Sequence, residues 1–227
     1  IFGDNGLGYV NETRIINKDI TSNISATLNF DLNDDLNLTV LTGFDAFDSR
    51  YDRVTTNGGE LDIFDLYSLN NAAIITTSSF EQQYRLLGLY GDISLGYKNA
   101  IYLSLTGRND WSSALPVANR SFFYPSVSLG VVLSELTDLP SLLDYTKLRV
   151  SYAGIGKDTD PYRTNTVYGN ASGFPIDGTT GWTRGNQRGA PDLVPERTNT
   201  FEIGAEVRSQ NNRLGLDISY YNATSVD

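Results

Sequence analysis

Strict alternation of apolar and polar residues is what most limits the folds open to this chain, because a period of two gives a strand one apolar face and fits no helix. In ISATLNFDL, 24–32, Ile24, Ala26, Leu28, Phe30 and Leu32 share one face, with Ser25, Thr27, Asn29 and Asp31 on the other. Residues 36–44 repeat the pattern through Leu36, Leu38, Val40 and Phe44 after a tight turn at Asn33, Asp34 and Asp35, which predicts a hairpin. Runs 83–97 and 100–110 meet at Lys98 and Asn99. They line up Leu87, Leu89, Ile93, Leu95, Ile101, Leu103 and Leu105 opposite Ser94, Ser104, Thr106, Arg108 and Asp110. Further strands are predicted over 122–133, 146–154, 200–208 and 213–222, and no stretch of ten residues has a helical period. The expected fold is all-β, with about eight antiparallel strands.

The connections alternate as well. Those at 33–35, 98–99 and 209–212 are tight, whereas 45–82, 111–121 and 155–199 are long and polar; 134–145, SELTDLPSLLDY, falls on the short side and is predicted to carry a helical turn. In an up-and-down meander every second connection lies at the same end, so one end has short turns and the other long loops. Outer-membrane barrels have that asymmetry. A soluble β-sandwich shares the alternation, but its strands average about 5–6 residues. Several runs here reach ten or more, and Tyr97, Tyr102, Tyr145, Tyr220 and Tyr221 sit near their ends as an interfacial girdle would.

Composition removes whole chemistries. The 227 residues include no His, Cys or Met. There is therefore no Ser-His-Asp triad, imidazole base, thiolate nucleophile, disulfide or zinc ribbon. A net charge of -10, from 27 acidic against 17 basic residues, opposes nucleic-acid binding. No run of 18 apolar residues encodes a transmembrane helix, which leaves membrane-spanning strands open. The chain opens IFGDNGLGY without Met and stops just past an apolar-alternating run, so it reads as a piece of a longer protein.

Four blocks carry a resemblance: YLSLTGRNDWSSALP, SFFYPSVSLGVVLSEL, LDYTKLRVSYAGIGKDTDPY and APDLVPERTNTFEIGAEVRSQNNRLGLDISYYNAT. In order and spacing they resemble the SusC-like (SusC/RagA-type) family of TonB-dependent outer-membrane transporters, densest over 84–226. Residues 9–48 fit as a preceding hairpin and 49–80 match no block. The resemblance implies that 1–227 is an arc of one barrel of about 22 strands, with the remaining strands, the plug and the TonB box lying elsewhere in the parent. It further implies a multi-pass protein of the bacterial outer membrane, bathed by lipid, that imports oligomeric nutrients: glycans first, peptides second. Its partners would be a SusD-like surface lipoprotein closing over the mouth and the TonB-ExbB-ExbD system pulling on the plug. A soluble carbohydrate-binding sandwich and a non-transporting structural or secretion-associated barrel are the alternatives.

Within LTGRNDWSSALP, 105–116, Arg108 and Asp110 are two apart on a strand and share a face, which the resemblance makes the lumen, with Trp111 entering the external loop. A lumen-side ion pair is the expected role, and cargo contact by Arg108, Asp110 or Trp111 the sharper one. Tyr162 and Trp182 of the longest loop are further cargo candidates. No catalytic residue is expected: a glycosidase pair of Asp110 with Glu135 spans opposite ends of the meander, and the family offers Glu196 no hydrolase role. DLNDD and DAFDSRYD lack the EF-hand spacing and read as solvated turns, so neither metal nor cofactor is expected.

Overall fold

The computed structural model describes residues 8–140, 143–174 and 176–226. Its strands are β1 (Tyr9–Asn33), β2 (Leu36–Leu61), β3 (Ala72–Tyr97), β4 (Ile101–Ser112), β5 (Ser121–Val132), β6 (Leu143–Lys157), β7 (Tyr168–Asn170), β8 (Trp182–Arg184), β9 (Glu196–Ser209) and β10 (Leu214–Val226). Eight form one sheet in the order β1-β2-β3-β4-β5-β6-β9-β10, and β7 with β8 makes a separate ribbon. A sandwich needs two comparable sheets packed face to face. The soluble-sandwich alternative therefore has no counterpart among the described residues.

The chain divides into two compact units, one made of the stretch ending at Thr21 with Phe47–Arg85, the other of Ser22–Ala46 with Leu86–Asp227. In the second unit, the strand registers carry the alternation from strand to strand. Leu103 pairs with Leu95 and Leu129, Leu129 with Val150, Val150 with Ile203 and Ile203 with Tyr220, giving one apolar row across six strands. Ser104 pairs with Ser94 and Ser128, and Ser128 with Ser151, giving a hydroxyl row on the opposite face. On that polar face Arg149 reaches Asp217 at 2.6 Å and Glu202 at 3.5 Å, in room left by Gly204, where a Cβ would meet the guanidinium.

Turn chemistry closes the short connections. Lys98 and Asn99, and then Gln210, Asn211 and Asn212, all have positive φ, a region that asparagine tolerates better than most residues. Neighbouring turns meet: Lys98 N donates to Asp35 O at 2.7 Å, and Asn212 N to Asp144 Oδ2 at 3.2 Å. Tyr97 first, and then Asp35, hold the Lys98 ammonium above the ordinary lysine range. The predicted helical turn is a single 3-10 turn, Leu133–Glu135.

The first unit corrects the reading of 45–82 as a loop. β2 runs on to Leu61 and β3 begins at Ala72, leaving 62–71 as the connection. Past Phe44 both faces carry polar and charged residues, so the hydrophobic period vanishes although the strand continues. Cross-strand side chains hold this part instead: Thr13 with Thr55 at 3.3 Å, Arg50 with Glu81 at 3.2 Å, Arg85 with Asp48 at 2.5 Å, and the Tyr51 and Phe80 rings at 6.0 Å. The connection is pinned by buried Asn71, whose side-chain nitrogen donates to Ile63 O and Leu66 O at 2.9 and 2.8 Å while its oxygen accepts from Ile63 N.

Candidate functional site

The polar face of the second unit concentrates its charge around Arg108. Register sets Tyr90, Arg108 and Tyr124 in one row, with Gly88, Asp110 and Phe122 in the next row two residues along. Because residues two apart on a strand share a face, Arg108 and Asp110 come together, with Arg108 Nε 2.8 Å from Asp110 Oδ1. The same guanidinium donates through Nη1 to Asp45 Oδ2 at 2.5 Å and lies 5.5 Å from the Tyr90 ring centroid. The Tyr124 hydroxyl donates to Asp110 Oδ2, and Asn23 donates to Asp45 and, at 2.9 Å, to the Tyr90 hydroxyl.

This arrangement ties five strands together through side chains alone. Two glycines make room for it: a Cβ at Gly43 would collide with the Tyr90 ring, and one at Gly88 with Arg108 and Asp110. Asp110 is only 4% exposed, so its carboxylate depends on Arg108 and Tyr124 for what water would otherwise supply. One guanidinium serves two carboxylates, so the cluster keeps an excess negative charge that neutral donors from Asn23 and Tyr124 moderate. Chemically it is a satisfied rivet with an acidic bias.

The remaining candidates lie elsewhere. Trp111 sits one residue past Asp110, inside β4, paired with Leu87 and Ser121 and on the face of Leu103 and Leu105. It therefore stands on the opposite side of the strand from Arg108 and Asp110. Tyr162, at φ 65°, and Trp182, the first residue of β8, are both exposed and belong to the connection 158–195. Sequence reasoning missed Asn23, Asp45, Tyr90 and Tyr124. Tyr90 and Tyr124 hold polar-face positions in legible strands, and their parity was a usable signal; Asn23 falls one residue before the run 24–32, and Asp45 falls where the hydrophobic period stops.

Connections that follow β4 and β6 are fastened to each other. The Ser112 hydroxyl donates to Asp158 and accepts from Ala114 N at 3.1 Å, and Asn119 Nδ2 reaches Asp192 O and Leu193 O at 3.2 and 3.1 Å. Ala114 and Leu115 are buried. The stretch expected as an exposed loop over 111–121 is therefore strand to Ser112 and then a packed corner. It lacks alternation because a corner buries residues by position instead of by period.

A family model described as "TonB dependent receptor-like, beta-barrel" matches residues 2–225. Similar proteins from Formosa agariphila include TonB-dependent receptor P26, 32% identical over 152 residues, which are 65% of this chain and 15% of that protein. TonB-dependent receptor P39 of the same organism is 26% identical over 208 residues, 86% of this chain and 19% of that protein. The chain thus spans under a fifth of the length of these curated relatives. Among solved structures, that of the RagAB peptide transporter superposes with a TM-score of 0.80 at 22% identity, covering 95% of this chain and 24% of that one. The RagAB peptide importer in its open-open state gives 0.75, also at 22% identity, over 96% and 24%. At these identities the structural likeness shows a shared fold.

Proposed function

Because this chain belongs to the TonB-dependent receptor-like β-barrel family, whose members are outer-membrane transporters, we propose that it is part of the barrel wall of an energy-coupled importer of oligomeric nutrients. The observation that carries this is the family match over 2–225, nearly the full chain. Two-faced strands support it physically. A wall between lipid and an aqueous lumen needs an apolar row such as Leu95, Leu103, Leu129, Val150 and Ile203 backed by a polar row such as Ser94, Ser104, Ser128 and Ser151. All of 1–227 would belong to that one barrel domain, with the plug and further strands in the rest of the parent.

Lipid is then the solvent of the apolar face, and the Arg108 cluster lies on the lumen side. The connections 113–120 and 158–195 face outward, where a SusD-like lipoprotein closes over the mouth. TonB-ExbB-ExbD acts on the parent's plug. Glycans come first as cargo because exposed aromatic rings with amide and guanidinium donors suit sugars; peptides come second, as the RagAB neighbours are a peptide transporter and importer. Arg108, Asp110, Tyr162 and Trp182 remain the cargo-contact candidates, with Trp111 as an interfacial aromatic.

The test is uptake by cells expressing the full-length protein, with oligosaccharide and peptide pools as sole carbon source, in backgrounds with and without TonB. Growth that needs both the protein and TonB is expected on oligosaccharides. Growth independent of TonB would remove the energy-coupled reading, and growth on peptides alone would reverse the cargo order.

A further inference from the structure

The connection 158–195 carries its own ribbon, β7 against β8, with Tyr168 opposite Arg184 and Asn170 opposite Trp182. Directly paired residues share a face, as do residues two apart on one strand. Tyr168, Asn170, Trp182 and Arg184 therefore stand on one side, and Gly169 and Thr183 on the other. The two aromatic residues lie on a diagonal and are 63% and 67% exposed. Among the described residues, no hydrogen bond, ion pair or ring contact engages any of these four side chains.

Backbone bonds fix the ribbon that presents them. Gly185 N donates to Val167 O at 3.4 Å, Ala171 N to Gly181 O at 2.9 Å, and Ile176 N to Thr179 O at 3.1 Å beyond. At the base, Ala190 N donates to Arg163 O and Gly189 N to Thr166 Oγ1, both at 3.0 Å, and Asn119 anchors the segment through Asp192 and Leu193. Phe174 lies against Gly181, so its ring is used internally. The platform is preorganised, and a ligand would not have to order it.

Its chemistry selects a ligand class. Two aromatic planes offer stacking surfaces for the C–H faces of pyranose rings, while Asn170 and Arg184 supply donors for hydroxyl or carboxylate oxygens. Within 166–190 two arginines stand against one aspartate, in a chain whose net charge is -10. A locally cationic, donor-rich, aromatic face in an acidic protein complements an anionic ligand. We propose that the ribbon face of Tyr168, Asn170, Trp182 and Arg184 binds an acidic oligosaccharide, with Trp182 and Tyr168 stacking on consecutive rings and Arg184 pairing with a carboxylate. This rests on the import reading and goes beyond it by naming a site and a charge preference.

The full-length protein in detergent is titrated with a tetrasaccharide of uronic acid units, a neutral glucose tetrasaccharide and an acidic tetrapeptide, followed by calorimetry. The uronic tetrasaccharide should bind tightest. Trp182→Ala should weaken both saccharides by at least about tenfold, corresponding to the loss of about 1.4 kcal/mol of stacking. Arg184→Gln should weaken only the acidic one and flatten its salt dependence, and Thr183→Ala on the back face should change nothing. Unaltered heat-modifiability on gels separates these effects from misfolding. Saccharide binding that is absent from the wild-type protein, or untouched by Trp182→Ala and Arg184→Gln, overturns the proposal, as does tetrapeptide binding that requires Trp182. TonB-dependent uptake persisting beside either result would leave the importer reading standing while the ribbon site falls.

Discussion

Arg108 is the side chain whose loss should reach farthest, because its guanidinium serves Asp45, Asp110 and the Tyr90 ring together. Arg108→Gln would leave Asp110 with a buried charge and without its cationic partner, Tyr124 still donating. A buried pair broken on one side costs about 3–5 kcal/mol, and partial exposure of Arg108 and Asp45 lowers the expectation to about 2–3 kcal/mol. The heat-modifiability midpoint of the full-length barrel measures this, and adding Asp110→Asn should restore part of the loss. Gly88→Ala should act in the same direction without touching a charge, since its new Cβ would displace Arg108 and Asp110. A barrel unchanged by either substitution would show that the cluster adds nothing to the wall.

β4 is paired on both sides and displays both faces of the sheet. Leu103, Leu105 and Trp111 alternate with Ser104, Thr106, Arg108 and Asp110, and the registers to β3 and β5 extend both sets. Cysteine at 103 should react with a membrane-dissolved maleimide and cysteine at 104 should not; equal labelling would contradict the assignment of faces. Leu105→Arg should destabilise the assembled barrel by about 2–4 kcal/mol if the position is near the bilayer centre, whereas Thr106→Arg should be milder. The connections divide along similar lines. Ser112 and Asn119 fasten 113–120 to 158–195, and Ala114 and Leu115 are buried there. Protease added to intact cells lacking the lipoprotein should therefore cut within 158–195 before 113–120, with the turns at 98–100 and 210–213 resisting until the outer membrane is opened.

At the scale of the whole molecule, most large apolar side chains among the described residues stay exposed. Among the described residues the buried hydrophobic ones are Leu61, Ala100, Ala114, Leu115 and Val132, whereas Leu105, Leu129, Val150, Ile203, Ile218 and Tyr220 are exposed. β1 and β10 are the edges of the large sheet. Two unpaired edges and an uncovered apolar face predict aggregation of the isolated 227-residue chain in plain buffer, with recovery only in detergent. Size-exclusion chromatography with and without detergent decides this; a soluble, cooperatively unfolding monomer would refute the wall reading. Deleting 164–188 from the full-length protein should leave barrel assembly intact but impair uptake or lipoprotein docking, since it removes the ribbon and no rung of the large sheet.

Alternation alone gave the all-β class, the strands β4, β5, β6, β9 and β10, the short turns and the two faces of Leu103 and Ser104, because an amphipathic strand writes its environment into a period of two. The family blocks added the barrel. The pattern lost the upper parts of β2 and β3, where polar residues occupy both faces and pairing across strands replaces burial. It also lost the corner at Ala114 and Leu115, packed by position, and the ribbon, whose three-residue strands are too short to display a period. Arg108 and Asp110 could be paired from their spacing within one strand. Joining them to Asp45, Tyr90, Tyr124 and Asn23 required the register between strands, which is set by contacts between residues as far as 67 apart in the sequence and leaves no local trace.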